Sequence, residues 1–311
     1  MRRLSVAYQS ANERLLAVQD VSFSLKPGDI LGIVGESGSG KSTLIKGLLR
    51  ILQPPGVITG GEVWLNGRDL LGLGEEALRA LRWEEVAVVP QSALNALNPV
   101  LSIGEQMIDT LRAHRSMTGN AARDHARTLL EGVGLDPLHL DSYPHQLSGG
   151  MRQRVALGLA LALEPPLLIM DEPTTALDVV IEREILQRVL TLQQRRGFAM
   201  IFITHDVSLL MAFATQIGVL YGGRMVEMGP VQAFRDGGTH PYTQGLLAAI
   251  PPAIDEDRTP VSIPGSPPSL TKPPTGCPFH PRCHLAEARC SDAVPALHAV
   301  APDHEAACHL L

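Results

Sequence analysis

The 311-residue sequence predicts an α/β fold with a small C-terminal extension. Three observations carry this. Short apolar runs bounded by turn residues recur at "DILGIVG" (29–35), "VAVVPQ" (86–91), "PLLIMDEP" (166–173) and "AMIFITHD" (199–206). Runs that are apolar on both faces suit parallel strands covered by helices. Helical periodicity lies between them, as in "DVVIEREILQRVLTLQQRRG" (178–197), where Ile181, Ile185, Val189 and Leu192 repeat and Gly197 ends the pattern. Finally, the texture changes near residue 251 to the proline-rich "PPAIDEDRTPVSIPGSPPSLTKPPTG", followed by a cysteine-bearing tail.

In chain order, "LLAVQDVSFSLKPGD" and "GGEVWLNGRDL" read as short antiparallel strands joined by turns. The run at 29–35 is the first core strand, and "TLIKGLLRIL" after it is a helix. Residues 104–133 read as largely helical and interrupt the alternation, so they predict a helical lobe. The stretch from about residue 251 reads as an extended linker, and the tail as a small appended unit. No internal repeat is visible.

Composition bounds the function classes. The chain is 45% hydrophobic and 19% charged, with net charge −6 and an isoelectric point near 6.0. That balance leaves no basic footprint for nucleic acid or anionic lipid, and 4% aromatic content argues against a base-stacking surface. The start, "MRRLSVAYQSANERLL", opens on two adjacent arginines but has no apolar core, so no secretory signal is expected. The most apolar region, "VALGLALALEPPLLIM" (155–170), is broken by Glu164-Pro165-Pro166, and its halves are too short to span a bilayer.

"GESGSGKS" (35–42) fits G-x-x-x-x-G-K-[ST], after a strand and before a helix as that motif requires. Glycines let backbone wrap phosphates closely, and amides at a helix start favour anions. Lys41 is expected to reach the β and γ phosphates and the Ser42 hydroxyl to hold Mg²⁺. Gly35, Ser37, Gly38, Ser39, Gly40 and Thr43 complete the expected ATP-binding loop. In "LLIMDE" (167–172), Asp171 at a strand end suits the Mg²⁺ shell, and Glu172 is placed to orient an attacking water. In "LSGGMRQR" (147–154), Ser148, Gly149 and Gly150 open a helix and make a second anion site. One nucleotide does not need two such loops on one chain, whereas two chains arranged head to tail use both.

With these motifs the sequence resembles the ATP-binding cassette (ABC) family. The resemblance implies a RecA-like phosphate-loop core with an antiparallel β subdomain and a helical subdomain at about 92–155. The ATP-binding domain would occupy residues 1–235 and the extension 236–311. Further residues match the family's pattern. Tyr8, 27 positions before Gly35, is similar to the aromatic that stacks on adenine, with a strand-edge tyrosine as the plain alternative. Gln91 is similar to the glutamine that senses Mg²⁺ and the γ-phosphate. Leu147, Ser148, Gly149, Gly150 and Met151 form the signature facing a partner's ATP, and "TTALD" (174–178) places Asp178 at the dimer interface. His205 in "FITHD" is similar to the histidine that contacts the γ-phosphate. The implied activity is hydrolysis of ATP to ADP and phosphate, with Glu172, His205 and Gln91 acting on the water.

"HPYTQGLLAAIP" (240–251), "IPGSPPSL" (263–270) and "GCPFHPRC" (276–283) resemble the C-terminal extension of dipeptide, oligopeptide and nickel importer ATPases. This implies a peripheral subunit on the cytoplasmic face of the inner membrane. The expected partners are a second, different ABC ATPase, two transmembrane permease subunits and an extracytoplasmic peptide-binding protein, with no nucleic acid. Peptide import is preferred, nickel import stands next, and a soluble nucleic-acid or ribosome-associated ATPase is the alternative of another class. All four cysteines, Cys277, Cys283, Cys290 and Cys308, lie in the tail, spaced C-x5-C-x6-C-x17-C. That spacing lacks the tight C-x2–4-C knuckle usual in structural zinc sites. Four thiolates suit a 4Fe-4S cluster, which the resemblance also implies. Zinc, with nearby His280, His284, His304 and His309, and free thiols remain alternatives.

Overall fold

The computed structural model describes residues 1–9, 14–91, 96–173, 178–250 and 261–311. They form two compact units: Met1–Leu25, Ile30–Gly72 and Ile203–Leu311 make the first, and Lys26–Asp29 with Leu73–Phe202 the second.

In the first unit, β1 (Arg2–Gln9) pairs antiparallel with β2 (Arg14–Val21), Leu4 opposite Val21 and Gln9 opposite Arg14. Strand β3 (Ile30–Val34) is buried at all five residues and runs into α1 (Lys41–Leu48) through the glycine-rich loop. On the far edge of β1 lies β4 (Gly56–Glu62), also antiparallel, and β5 (Trp64–Leu65) and β6 (Arg68–Asp69) form a small hairpin. Val6 and Leu4 of β1 are fully buried and sit beside Gly47 of α1, where an added Cβ would meet Val6 at 2.7 Å.

The second unit opens with α2 (Glu75–Glu84) and β7 (Val86–Val89). Helices α3 (Ile103–Arg115) and α4 (Gly119–Gly132) then cover the predicted helical stretch, two 3-10 turns follow at Pro137–Asp141 and Pro144–Gln146, and α5 (Gly149–Ala160) closes the segment. A capping box starts α3: Ser102 Oγ accepts from the Glu105 N–H at 3.2 Å while Glu105 Oε2 accepts from the Ser102 N–H at 2.7 Å. Leu111, Ala122, Leu129, Ala162 and Leu163 make a common core there. Strand β8 (Leu167–Asp171) runs parallel to β7, Val86 opposite Leu167 and Val89 opposite Met170. Next comes α6 (Val179–Arg196), which ends at Gly197 with φ +71°, as the sequence predicts. The following strand, β9 (Ala199–Thr204), neighbours β8, giving the order β9-β8-β7.

Back in the first unit, α7 (Val207–Phe213) precedes β10 (Gln216–Tyr221), which pairs parallel with β3, and β11 (Arg224–Pro230), antiparallel to β10. Short α8 (Val231–Arg235) leads to α9 (Pro241–Ala248). The cysteine segment contains a 3-10 turn at His280–Arg282, α10 (Ala288–Asp292) and a hairpin of β12 (His298–Ala301) and β13 (His304–Ala306). Strand β13 pairs with β11, so this sheet continues in the order β12-β13-β11-β10-β3. The tail is therefore built into the first unit rather than appended to it. The stretch read as an extended linker is described only in part. Residues 251–260 lie outside the described residues, and 261–270 carry no helix or strand. Ile263 nevertheless packs where a Cβ on Gly245 would fall, 2.9 Å away.

Candidate functional site

The loop from β3 to α1 is shaped by close approach. An added Cβ on Gly35 would meet the Leu220 carbonyl at 2.2 Å, and one on Gly40 would meet the Ala17 carbonyl at 2.3 Å. Gly38 and Gly40 have φ of +79° and +102°, a region that L side chains adopt at a cost. Gly40 caps α1 without a side chain, so amides at the helix start face outward into the loop. Lys41 is buried, and its Nζ donates to the Gly35 carbonyl at 2.7 Å and the Glu36 carbonyl at 3.0 Å. Ser39 Oγ is buried without a hydrogen-bond partner, whereas Ser37 and Gly38 are exposed. Ser42 and Thr43 are half-buried, and Thr43 Oγ1 lies 3.2 Å from Tyr8 Oη. Tyr8 thus reaches the first turn of α1 from β1. This is a positively charged, amide-lined cradle with an unsatisfied hydroxyl, chemistry that suits a polyphosphate.

His205, exposed after β9, is followed by Asp206, whose Oδ1 accepts from the Ser208 and Leu209 amides and fixes the start of α7.

In the second unit, Gln91 Nε2 donates to Glu172 Oε2 at 2.9 Å, so residues 81 positions apart meet. Glu172 follows the half-buried Asp171 and has φ +45°, a strained conformation for a non-glycine residue and one that re-aims its side chain after β8. Ser148 caps α5, its Oγ accepting from the Met151 N–H at 3.3 Å. Leu147 and Gly150 are buried, Met151 is half-buried, and Ser148 and Gly149 are exposed. Gly150 is small because Ile181 of α6 would lie 2.7 Å from its Cβ. Asp178 caps α6, its Oδ1 accepting from the Val180 and Ile181 amides at 3.1 and 3.0 Å; the rest of "TTALD", residues 174–177, lies outside the described residues.

Residues 18–175 match the family model for ABC transporters. The chain belongs to the ABC transporter family. A second model, for the C-terminal region of oligopeptide/dipeptide transporters, matches residues 226–290. The chain is 40% identical over 309 residues to the dipeptide transport ATP-binding protein DppD of Escherichia coli, covering 99% of this chain and 94% of that protein. With the oligopeptide transport ATP-binding protein OppD of the same organism it shares 40% identity over 297 residues, 95% of this chain and 88% of that one. Among solved structures, an ATP-binding cassette determined as a dimer in a post-hydrolysis state with ADP and Pi aligns at a TM-score of 0.67 and 29% identity. That alignment covers 74% of this chain and 97% of the other. The ABC nucleotide-binding fold expected from the sequence is the fold of this cassette.

The tail holds polar contacts that sequence reasoning missed. Glu227, fully buried on β11, accepts from the Thr239 and His240 amides at 2.8 Å each, and its Oε1 lies 2.8 Å from His304 Nε2 on β13. His240 Nδ1 accepts from the Tyr242 N–H at 3.0 Å and so caps α9. Arg282 forms a two-pronged pair with Glu36 in the phosphate loop. Of these, only "HPY" and "HPRC" left a sequence trace, as part of the tail resemblance.

None of the four cysteines is paired in a disulfide; Cys277, Cys290 and Cys308 are buried and Cys283 is half-buried. Burial pushes the Cys277 thiol up, the charges of Cys290 and Cys308 add to this, and the Phe279 and His280 amides oppose it. Cys283 is raised by burial and by Cys308 and Cys290, opposed by the Leu285 amide. Both shifts have the same two neighbours, Cys290 and Cys308, among their causes. Among the described residues, no group of three or more His, Cys, Asp or Glu side chains is arranged to hold a metal ion.

Proposed function

We propose that this chain is the ATP-hydrolysing subunit that drives import of dipeptides or oligopeptides through separate membrane subunits. The observation that carries the reading is likeness along nearly the whole chain to dipeptide and oligopeptide transport ATP-binding proteins, together with the match of residues 226–290 to their C-terminal region. Substrate phosphates are assigned to the cradle of Gly35, Ser37, Gly38, Ser39, Gly40, Lys41, Ser42 and Thr43, and adenine to Tyr8. The oxygens of Ser42, Gln91 and Asp171 are donors of the kind Mg²⁺ takes, and Mg²⁺ would supply charge neutralisation on the phosphates. Glu172 orients the attacking water, and the Gln91 amide that donates to its Oε2 holds that carboxylate in place. His205 completes the polar set acting on the γ-phosphate. In-line phosphoryl transfer needs positioning and electrostatics more than covalent chemistry, which these residue types provide.

Leu147, Ser148, Gly149, Gly150 and Met151, with Asp178, are assigned to the nucleotide and interface of a second, homologous ATP-binding subunit. Two permease subunits and an extracytoplasmic peptide-binding protein complete the transporter. As part of such a transporter the chain is assigned to the cytoplasmic face of the inner membrane as a peripheral subunit; no helix among the described residues is long and apolar enough to cross a membrane. The test is Glu172→Gln in the detergent-purified complex. It should bind MgATP as wild type does and lose turnover by about 100-fold or more; turnover like wild type would remove Glu172 from this role.

For the tail we propose a 4Fe-4S cluster held by Cys277, Cys283, Cys290 and Cys308. Four mostly buried cysteines, two of them with backbone amides near sulfur, suit such a group, whose ligands stand farther apart than those of a single ion. Anaerobically purified protein should be brown, with about four irons and four acid-labile sulfides per chain. A colourless chain with one zinc would replace the cluster by a zinc site.

A further inference from the structure

The ion pair between the tail and the phosphate loop joins positions 246 residues apart. Arg282 Nη1 donates to Glu36 Oε2 at 2.6 Å and Nη2 to Glu36 Oε1 at 3.0 Å, the parallel geometry that makes guanidinium–carboxylate pairs strong. The Arg282 side chain is 6% exposed. Its Nε donates to the Pro264 carbonyl at 2.8 Å and Nη1 also to Tyr221 Oη at 3.2 Å, so the guanidinium is clamped from two further segments of the chain. The turn that aims it, His280–Arg282, is the one that sets Cys277 and Cys283 apart. Phe279 of that segment packs edge-on against Tyr221 and at a tilt against Tyr242, ring centres 5.3 Å from each.

Glu36 is the second residue of "GESGSGKS", and all its polar groups are engaged. Its N–H donates to Tyr242 Oη at 3.0 Å. Its carbonyl accepts from the Ser39 N–H at 3.1 Å and from Lys41 Nζ at 3.0 Å. The lysine expected to meet phosphate thus rests on a residue whose side chain is gripped by the tail. A carboxylate in an anion-binding loop also opposes a polyphosphate unless a cation neutralises it. Arg282 supplies that cation and fixes the backbone that carries Lys41.

We propose that Arg282 is a positioning residue for the phosphate loop, acting through Glu36, so that the cysteine lobe sets the affinity of the cassette for MgATP. This rests on the reading of residues 35–43 as the ATP site. Ordering is reciprocal: a lobe that tightens the loop is itself tightened when the loop takes nucleotide.

The test uses the full-length chain titrated with MgATP, with amide hydrogen exchange followed in parallel. Arg282→Ala should weaken MgATP binding by about tenfold or more. Arg282→Lys, which keeps the charge and loses the fork, should weaken it by a smaller factor. Adding Glu36→Gln to Arg282→Ala should cost little further, because the two residues act as one unit. In wild type, MgATP should slow exchange of the amides at 279–283, and in Arg282→Lys that slowing should shrink. Should Arg282→Ala fail to fold, the Lys variant and the exchange data decide. Wild-type affinity in a folded Arg282 variant, losses that add in the double variant, or exchange at 279–283 indifferent to MgATP would each overturn the proposal. If wild type itself binds no MgATP, the reading of the ATP site falls first, and this inference with it.

Discussion

Gly40 shows how a single position ties chemistry to fold. Its φ of +102° and the Ala17 carbonyl 2.3 Å from any added Cβ exclude a side chain on two independent grounds. Gly38, with φ +79° and nothing within 4 Å of a Cβ, is excluded on only one. Gly40 is legible in the motif itself, which fixes a glycine before the lysine, whereas Gly38 stands at one of its variable positions. Gln91 and Glu172 are each legible by pattern, but their 2.9 Å hydrogen bond is not, since they stand 81 positions apart and meet only once β7 and β8 have paired. The pairing of Arg282 with Glu36 is invisible for the same reason, and neither has a local pattern that names its partner.

Among elements, fully apolar runs announce β3, β7, β8 and β9 to within about two residues, because burial on both faces demands that composition. The tail hairpin goes unread: β12 is four residues with mostly exposed side chains and β13 only three, too short for any periodicity. The apolar stretch 155–170 resolves into the end of α5 and strand β8, with Glu164 at φ +54° making the break between them. Helix α9 carries a pH prediction. Burial pushes the His240 imidazole down to about 4, against an ordinary value of 6.5, with the Glu227 carboxylate and an Ala307 carbonyl opposing the shift. The neutral ring keeps Nδ1 as acceptor for the Tyr242 amide, whereas the protonated ring would break that cap. The unfolded chain therefore binds the proton first. Stability is full above pH 6.5 and falls as the pH drops towards 4, by at most about 1.4 kcal/mol per pH unit. Urea unfolding across this range should show a shallower loss in His240→Asn than in wild type; equal slopes would remove His240 as the cause.

At the scale of the whole molecule, two features define the cassette: a phosphate loop with a signature loop on one chain, and a tail woven into the first unit by β13 and Arg282. The first is legible in the sequence because each motif is local. The second is not, because a proline-rich lead-in and four cysteines read as a separate appendage, while β-pairing and a long-range ion pair attach it. A chain that is the motor of a peptide importer is tested most directly by transport. The chain should be purified with the permease subunits and the proposed second ATP-binding subunit, and reconstituted into lipid vesicles with the peptide-binding protein. Uptake of a labelled dipeptide should require MgATP and should stop with Glu172→Gln in this chain. MgATP hydrolysis without uptake of dipeptide or longer peptide, in an otherwise intact complex, would contradict the account.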